Sequence, residues 1–135
     1  TAPVRAASTA DTFKAALYLT SATINASTTA YSATGEVSGT GYTAGGVAVT
    51  NATAPTATNS SSTAGVAYWT PSASITYTTV TLTTAFDTVL IYNSTQSNKA
   101  VSVHTFGSQT ITAGTFTLTM PSNTTSTALL RLATT

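Results

Sequence analysis

The sequence predicts an all-β domain, an antiparallel sandwich or barrel, on three observations. Threonine, a β-branched residue that favours strands, makes up about a quarter of the 135 residues. Short segments alternate apolar and polar side chains with a period of two, as half-buried strands do. These segments are separated at regular intervals by polar, glycine- or proline-marked turns, the pattern of a sandwich rather than of an α/β fold.

Each element follows in order. Residues 1–11 are small and polar, with Pro3 among them, and read as a flexible amino-terminal arm. Residues 12–135 read as a single β-sandwich domain, a length within the range of one domain. Phe13, Ala15, Leu17 and Leu19 alternate with Lys14, Ala16, Tyr18 and Thr20, which gives a first strand. A short strand or extended loop over 22–26 leads to Tyr31. Val47, Ala48 and Val49 begin the next strand. Residues 51–65 are nearly all Asn, Thr, Ser, Ala, Pro and Gly, a polar connection longer than most loops in compact domains.

The second half is denser in strands. They are expected over 66–70, over 74–84 with a parity change between Tyr77 and Val80 that suggests a bulge, and over 88–93, where continuous Val89-Leu90-Ile91-Tyr92 suits a strand covered on both faces. Further strands are expected over 100–106, closed by Gly107, over 109–112, over 115–120 after a turn at Gly114, and over 128–133. The count is eight to ten short strands.

Residues 35–46 stand apart from this pattern. Gly35-Glu36-Val37-Ser38-Gly39-Thr40-Gly41-Tyr42-Thr43-Ala44-Gly45-Gly46 holds five of the eight glycines and one of three acidic residues. It reads as a compact, multi-turn loop in which Tyr42 packs its ring and keeps its hydroxyl on a partner. Gly35, Glu36, Gly39, Gly41, Tyr42, Gly45 and Gly46 are therefore the candidate structural or interface site. The Glu36 carboxylate is expected to pair with backbone donors or with one of the four basic residues.

Composition excludes several functions. Only 5% of residues are charged and the net charge is +1, against roughly 25% charged in ordinary soluble domains. Arg5, Lys14, Lys99 and Arg131 are scattered, so no basic patch for nucleic acid forms. No apolar run is long enough for a membrane-spanning helix, and the amino terminus lacks the apolar core of a signal peptide. There is no cysteine, hence no disulfide framework or thiolate metal site. No cofactor is expected.

Catalytic constellations are poorly supplied. His104, the only histidine, falls in the outward register of its strand, where a surface or interface role is expected rather than a place in a serine triad. Asp11, Glu36 and Asp87 are unpaired in sequence, and Asp87 reads as a turn residue at a strand entrance. The glycine stretch lacks the lysine of a phosphate-binding loop, and the third glycine of a dinucleotide fingerprint is replaced by Ala44. An enzyme is not expected. Asn25, Asn51, Asn59, Asn93 and Asn123 head sequons that arise by chance in so Ser/Thr-rich a chain. Tyr18, Tyr31, Tyr68 and Trp69 read as core or subunit-interface residues, with a sugar-stacking platform as the alternative.

The blocks Asp11-Thr12-Phe13-Lys14-Ala15-Ala16-Leu17-Tyr18 and Tyr31-Ser32-Ala33-Thr34 running into Gly35–Gly46 resemble a family of small structural proteins of tailed bacteriophages. Leu90-Ile91-Tyr92-Asn93, Val101-Ser102-Val103-His104-Thr105-Phe106-Gly107, Thr112-Ala113-Gly114-Thr115-Phe116 and Leu129-Leu130-Arg131-Leu132 are similar to its later blocks. Family members often carry an acidic residue before the Phe-Gly pair, where this chain has His104 and Thr105, and the segment 51–65 is peculiar to this chain. The resemblance implies a homotrimeric, jelly-roll-like sandwich that decorates and cements the outer surface of a phage head. Its partners would be the major capsid protein and copies of itself, on a virion assembled in the bacterial cytoplasm. A tail-fibre, head-fibre or glycan-binding module of the virion is the alternative.

Overall fold

The computed structural model describes residues 10–50, 55–58 and 65–133, and the flexible arm expected over 1–11 falls outside them up to Thr9. The fold is all-β: no helix occurs among the described residues, and the strands form two antiparallel sheets. Strands β1 (Phe13–Leu19), β2 (Val47–Val49), β5 (Ile75–Asn93) and β6 (Lys99–Leu118) make a four-stranded sheet in the order β2-β1-β5-β6. Strands β3 (Thr56–Ala57), β4 (Val66–Trp69) and β7 (Leu130–Ala133) make a three-stranded sheet in the order β3-β4-β7. These orders support a sandwich-like architecture and leave the jelly-roll winding implied by the resemblance unconfirmed.

Several of the expected short strands are continuous. The segments expected over 74–84 and 88–93 are one strand, and those over 100–106, 109–112 and 115–120 are another, so β5 and β6 form a hairpin with strands of 19 and 20 residues. What reads in the sequence as breaks are bulges. The register shifts between Tyr77 and Val80, where Thr79 takes a φ of 53°, and between Val80 and Leu82, where Ala113 takes a φ of 47°. Gly107 and Gly114 lie inside β6 rather than ending strands, and Gly114 sits opposite Val80. Each bulge inserts unpaired residues and re-aims the inward face without ending the ladder. Asp87 is likewise mid-strand, in the shift between Phe86 and Thr88, and accepts a hydrogen bond from the Thr88 hydroxyl. Seven strands, not eight to ten, occur among the described residues.

Two further segments resolve. Of the short strand or extended loop expected over 22–26, the loop is found. The polar connection 51–65 contributes β3, in which Thr56 and Ala57 pair with Tyr68 and Ala67; its residues 51–54 and 59–64 lie outside the described residues.

The four-stranded sheet is buried on both faces near β1. One face, with Ala15, Leu17, Phe86, Val89 and Ile91, belongs to a core that also takes in Trp69 of β4 and, at its margin, Leu130 of β7. Phe13 and Trp69, with ring centroids 6.1 Å apart, join the two sheets. The opposite face carries Ala16, Tyr18, Leu90 and Tyr92 under Ala22, Ile24 and Tyr31 of the long connection after β1. That cover explains the continuous apolar run 89–92: strands buried on both faces lose their alternation.

Candidate functional site

The glycine loop completes an edge of the four-stranded sheet. Strand β2 pairs with β1 only at Phe13, Lys14 and Ala15. Beyond that, residues 35–37 take its place: the Leu19 amide donates to the Gly35 carbonyl at 2.9 Å and the Val37 amide to the Leu17 carbonyl at 3.0 Å. Between the two segments the Leu17 amide donates to the Tyr42 hydroxyl oxygen at 3.0 Å, so a side chain fills the gap in the ladder. Gly46 takes a φ of 73° against the Ala15 carbonyl oxygen, where any Cβ would collide with backbone. Gly39 makes a comparable close approach to the Thr81 carbonyl, beside the bridge from Thr40 to Thr81. The loop therefore spans from β1 to β5.

At its centre lies Glu36. Its Oε1 accepts from the Tyr42 hydroxyl and the Gly45 amide, both at 2.7 Å, and its Oε2 from the Tyr31 hydroxyl at 2.6 Å. Of the two partner classes expected, backbone donors are realised at Gly45, and tyrosines stand where a basic residue was the alternative. Short bonds to a carboxylate are charge-assisted and roughly twice as strong as neutral ones. The tyrosines are tied in turn to the sheet. Tyr31 stacks on Tyr92 at 4.8 Å, Tyr42 on Tyr77 at 5.9 Å, Tyr92 donates to the Gly45 carbonyl and Tyr77 to the Ala15 carbonyl, both at 2.8 Å.

The phenols are held neutral. Burial pushes Tyr18 up to about 12, with the Ser32 carbonyl it donates to pulling the other way and Glu36 adding to the rise. Burial raises Tyr31 and Tyr42 well above the usual phenol range, and the bonds each donates to the Glu36 carboxylate raise them further. Tyr77 and Tyr92 are raised by burial and by the nearby Glu36 charge. A phenol that donates to a carboxylate loses that bond when it ionises, so the cluster is a neutral clamp around one fixed charge.

The remaining candidates are dispersed. His104 is not in an outward register: it lies opposite Val89 on the core-facing side of β6, half-buried, with Nε2 3.0 Å from the Ser102 hydroxyl, and burial lowers its pKa. Val103 and His104 alternate as expected, but Val103, opposite Leu90, faces the cluster under the long connection and His104 faces the main core, because the sheet is covered on both faces here. Asp11 accepts from the Asn93 and Gln96 amides and Asp87 from Thr88, so the three carboxylates serve separate contacts. Among the described residues no group of three or more His, Asp or Glu side chains could hold a metal ion, and no helix is long and apolar enough to cross a membrane.

The four aromatics read as core or interface residues, with a sugar platform as the alternative, are divided between two places. Tyr18 and Tyr31 belong to the cluster under the long connection, and Trp69, only 7% exposed, belongs to the opposite core beside Tyr68. One feature is barely legible in the sequence: an apolar groove of about 460 Å³ between the sheets, lined by residues that include Phe13, Tyr68, Trp69, Val101, Leu130 and Leu132. The exposed large hydrophobic side chains among the described residues, Val101 at 38% and Leu132 at 74%, both line it. The matching parity of Leu130 and Leu132 was its one sequence signal; the bulge that turns Val101 outward gave none. Comparison with protein-family models, curated proteins and solved structures finds no match for this chain.

Proposed function

We propose that this protein is a virion structural subunit, a decoration or cement protein that binds the outer surface of a bacteriophage head beside other copies of itself. The observation that carries the reading is β6. Among the described residues it is a 20-residue edge strand, paired by β5 on one side and by one bridge, from Ala30 to Lys99, on the other. From Ala100 to Leu118 it has no Lys, Arg, Asp, Glu or Pro, the residues with which free-standing proteins blunt an edge. Its exposed positions are mostly hydroxyl-bearing or small. Such an edge fits a chain that spends its working life against neighbours, and the resemblance to phage structural proteins names those neighbours as the major capsid protein and copies of this chain in a trimer.

The chemistry fits the same reading. Glu36 has its oxygens engaged by structural donors, and its tyrosines are locked to the sheet, which makes the site a scaffold for shape rather than for turnover. Reconstitution tests the proposal: purified protein added to heads that lack it binds at saturating copy number and raises the temperature of genome release, since a ligand of the assembled state stabilises it by mass action. Heads that neither bind the protein nor gain stability would contradict the reading. Adsorption to host polysaccharide in place of heads would favour the fibre or glycan-binding alternative.

A further inference from the structure

His104 is the only histidine of the chain, and the fold sets it under the connection that carries the chain from the larger sheet to the smaller one. It lines a cavity of about 160 Å³ together with Val89 and Ile91 of β5, Leu118 at the end of β6, and Met120 and Leu129 of the connection 119–129. Among the described residues no strand of one sheet pairs with a strand of the other. The connection is held over His104 by the packing of Met120 and Leu129 against the main core and by the Leu129 amide, which donates to the Thr70 hydroxyl at 2.9 Å. We propose that His104 is an acid-operated latch: neutral, it lets the connection 119–129 close over the core, and protonated, it loosens that connection and opens the seam between the sheets.

A neutral imidazole suits this place. Its Nε2 lies 3.0 Å from the Ser102 hydroxyl, which rotates to donate or accept as the tautomer requires. An imidazolium brings a full charge into an apolar cavity, which is costly unless an opposite charge pairs with it. None faces it. The ionisable side chains on the elements around it are Tyr77, Asp87 and Tyr92 of β5, Lys99 of β6 and Arg131 of β7, and none of them lines the cavity. Asp87 accepts from Thr88, Tyr77 and Tyr92 donate to the Ala15 and Gly45 carbonyls, and Arg131 donates to the Thr125 carbonyl. The connection 119–129 contains no ionisable residue. Burial lowers the pKa of His104, the direction this geometry requires. The stability that follows is full above the unfolded imidazole value of about 6.5 and is lost as pH falls from there through the lowered folded value. The connection is the side that yields. His104 and its neighbours on β6 are paired with Thr88, Val89 and Leu90 of β5, whereas residues 119–129 belong to no strand.

Because the chain has one histidine, its ring protons report the titration directly by proton NMR. The expected midpoint lies below the ordinary value of about 6.5, and a midpoint at or above it would overturn the proposal. The urea midpoint of the parent is expected to shift downward as pH is lowered from about 7 to about 5, a window above the ordinary carboxylate range of about 4. That shift is expected to be lost in His104→Gln; a parent midpoint flat across the window, or a variant that falls as far as the parent, would overturn the latch. Amide hydrogen exchange locates the opening in the unmodified chain and so does not depend on how the variant folds. With the intrinsic pH dependence removed, exchange over 119–129 is expected to be several-fold faster at the lower pH and unchanged over 35–46. Uniform acceleration of both segments, or of neither, would contradict a latch at this seam.

Discussion

At the scale of residues, one carboxylate in a nearly uncharged chain organises the loop around itself. Glu36→Gln is expected to lower unfolding free energy by about 1.5–3 kcal/mol, the worth of hydrogen bonds to a charged group, as measured by urea denaturation. Tyr42→Phe removes the acceptor of the Leu17 amide together with a donor to Glu36, and is expected to cost about 1–3 kcal/mol. Because the two share a network, their double variant should fall short of the sum of the single effects. The raised phenols give a pH signature. A neutral form favoured by folding stabilises fully below the unfolded phenol value of about 10 and is lost as pH rises through the folded value. For Tyr18 that value is about 12, so the urea midpoint should hold from pH 8 to 9 and fall between pH 10 and 12. A midpoint flat across that range would contradict the neutral clamp. The importance of Glu36 and the anchoring by Tyr42 were legible in the sequence from scarcity and glycine context. Tyr31 as the third arm was not, since a five-residue separation in a loop implies no particular contact.

At the scale of elements, the long hairpin carries the core. Tyr42, Tyr77, Phe116, Phe86 and Phe106 form a chain of ring contacts from the glycine loop to β6, with successive centroids 5.2 to 6.1 Å apart. Leu82, 1% exposed, lies inside this core, and Leu82→Ala is expected to cost about 2–5 kcal/mol in chemical denaturation. On the solvent side of the hairpin, Thr110→Lys with Thr112→Lys should leave unfolding within about 0.5 kcal/mol of the parent, as exposed substitutions usually do. The same pair should abolish head binding or self-association measured by sedimentation, because lysines on a strand edge oppose pairing. The strands themselves were legible through alternation. Their continuity was not, because a bulge shifts parity in the same way as a chain break, and only the pairing of Val80 with Gly114 across the shift distinguishes the two. His104 was misplaced because alternation separates two faces without showing that both are covered.

For the whole molecule, class and composition were readable and arrangement was not. Threonine-rich alternation predicts antiparallel β structure from the backbone up, and the two sheets follow it. Which segments meet between those sheets depends on β3, β4 and β7, short strands whose sequences carry little signal of their own and which are fixed by packing Trp69 and Leu130 onto the core of the larger sheet. The result is a shape-locked loop and, among the described residues, a long edge strand with no charged side chain after Lys99, the two features on which the proposed structural role rests. The most direct measurement is the copy number of this chain in purified phage particles that carry it, from a quantified gel or an averaged density map. A decoration protein is present in high copy, in fixed ratio to the major capsid protein and in symmetric density on the outer head surface; a few copies per particle, or density confined to the tail, would contradict the account.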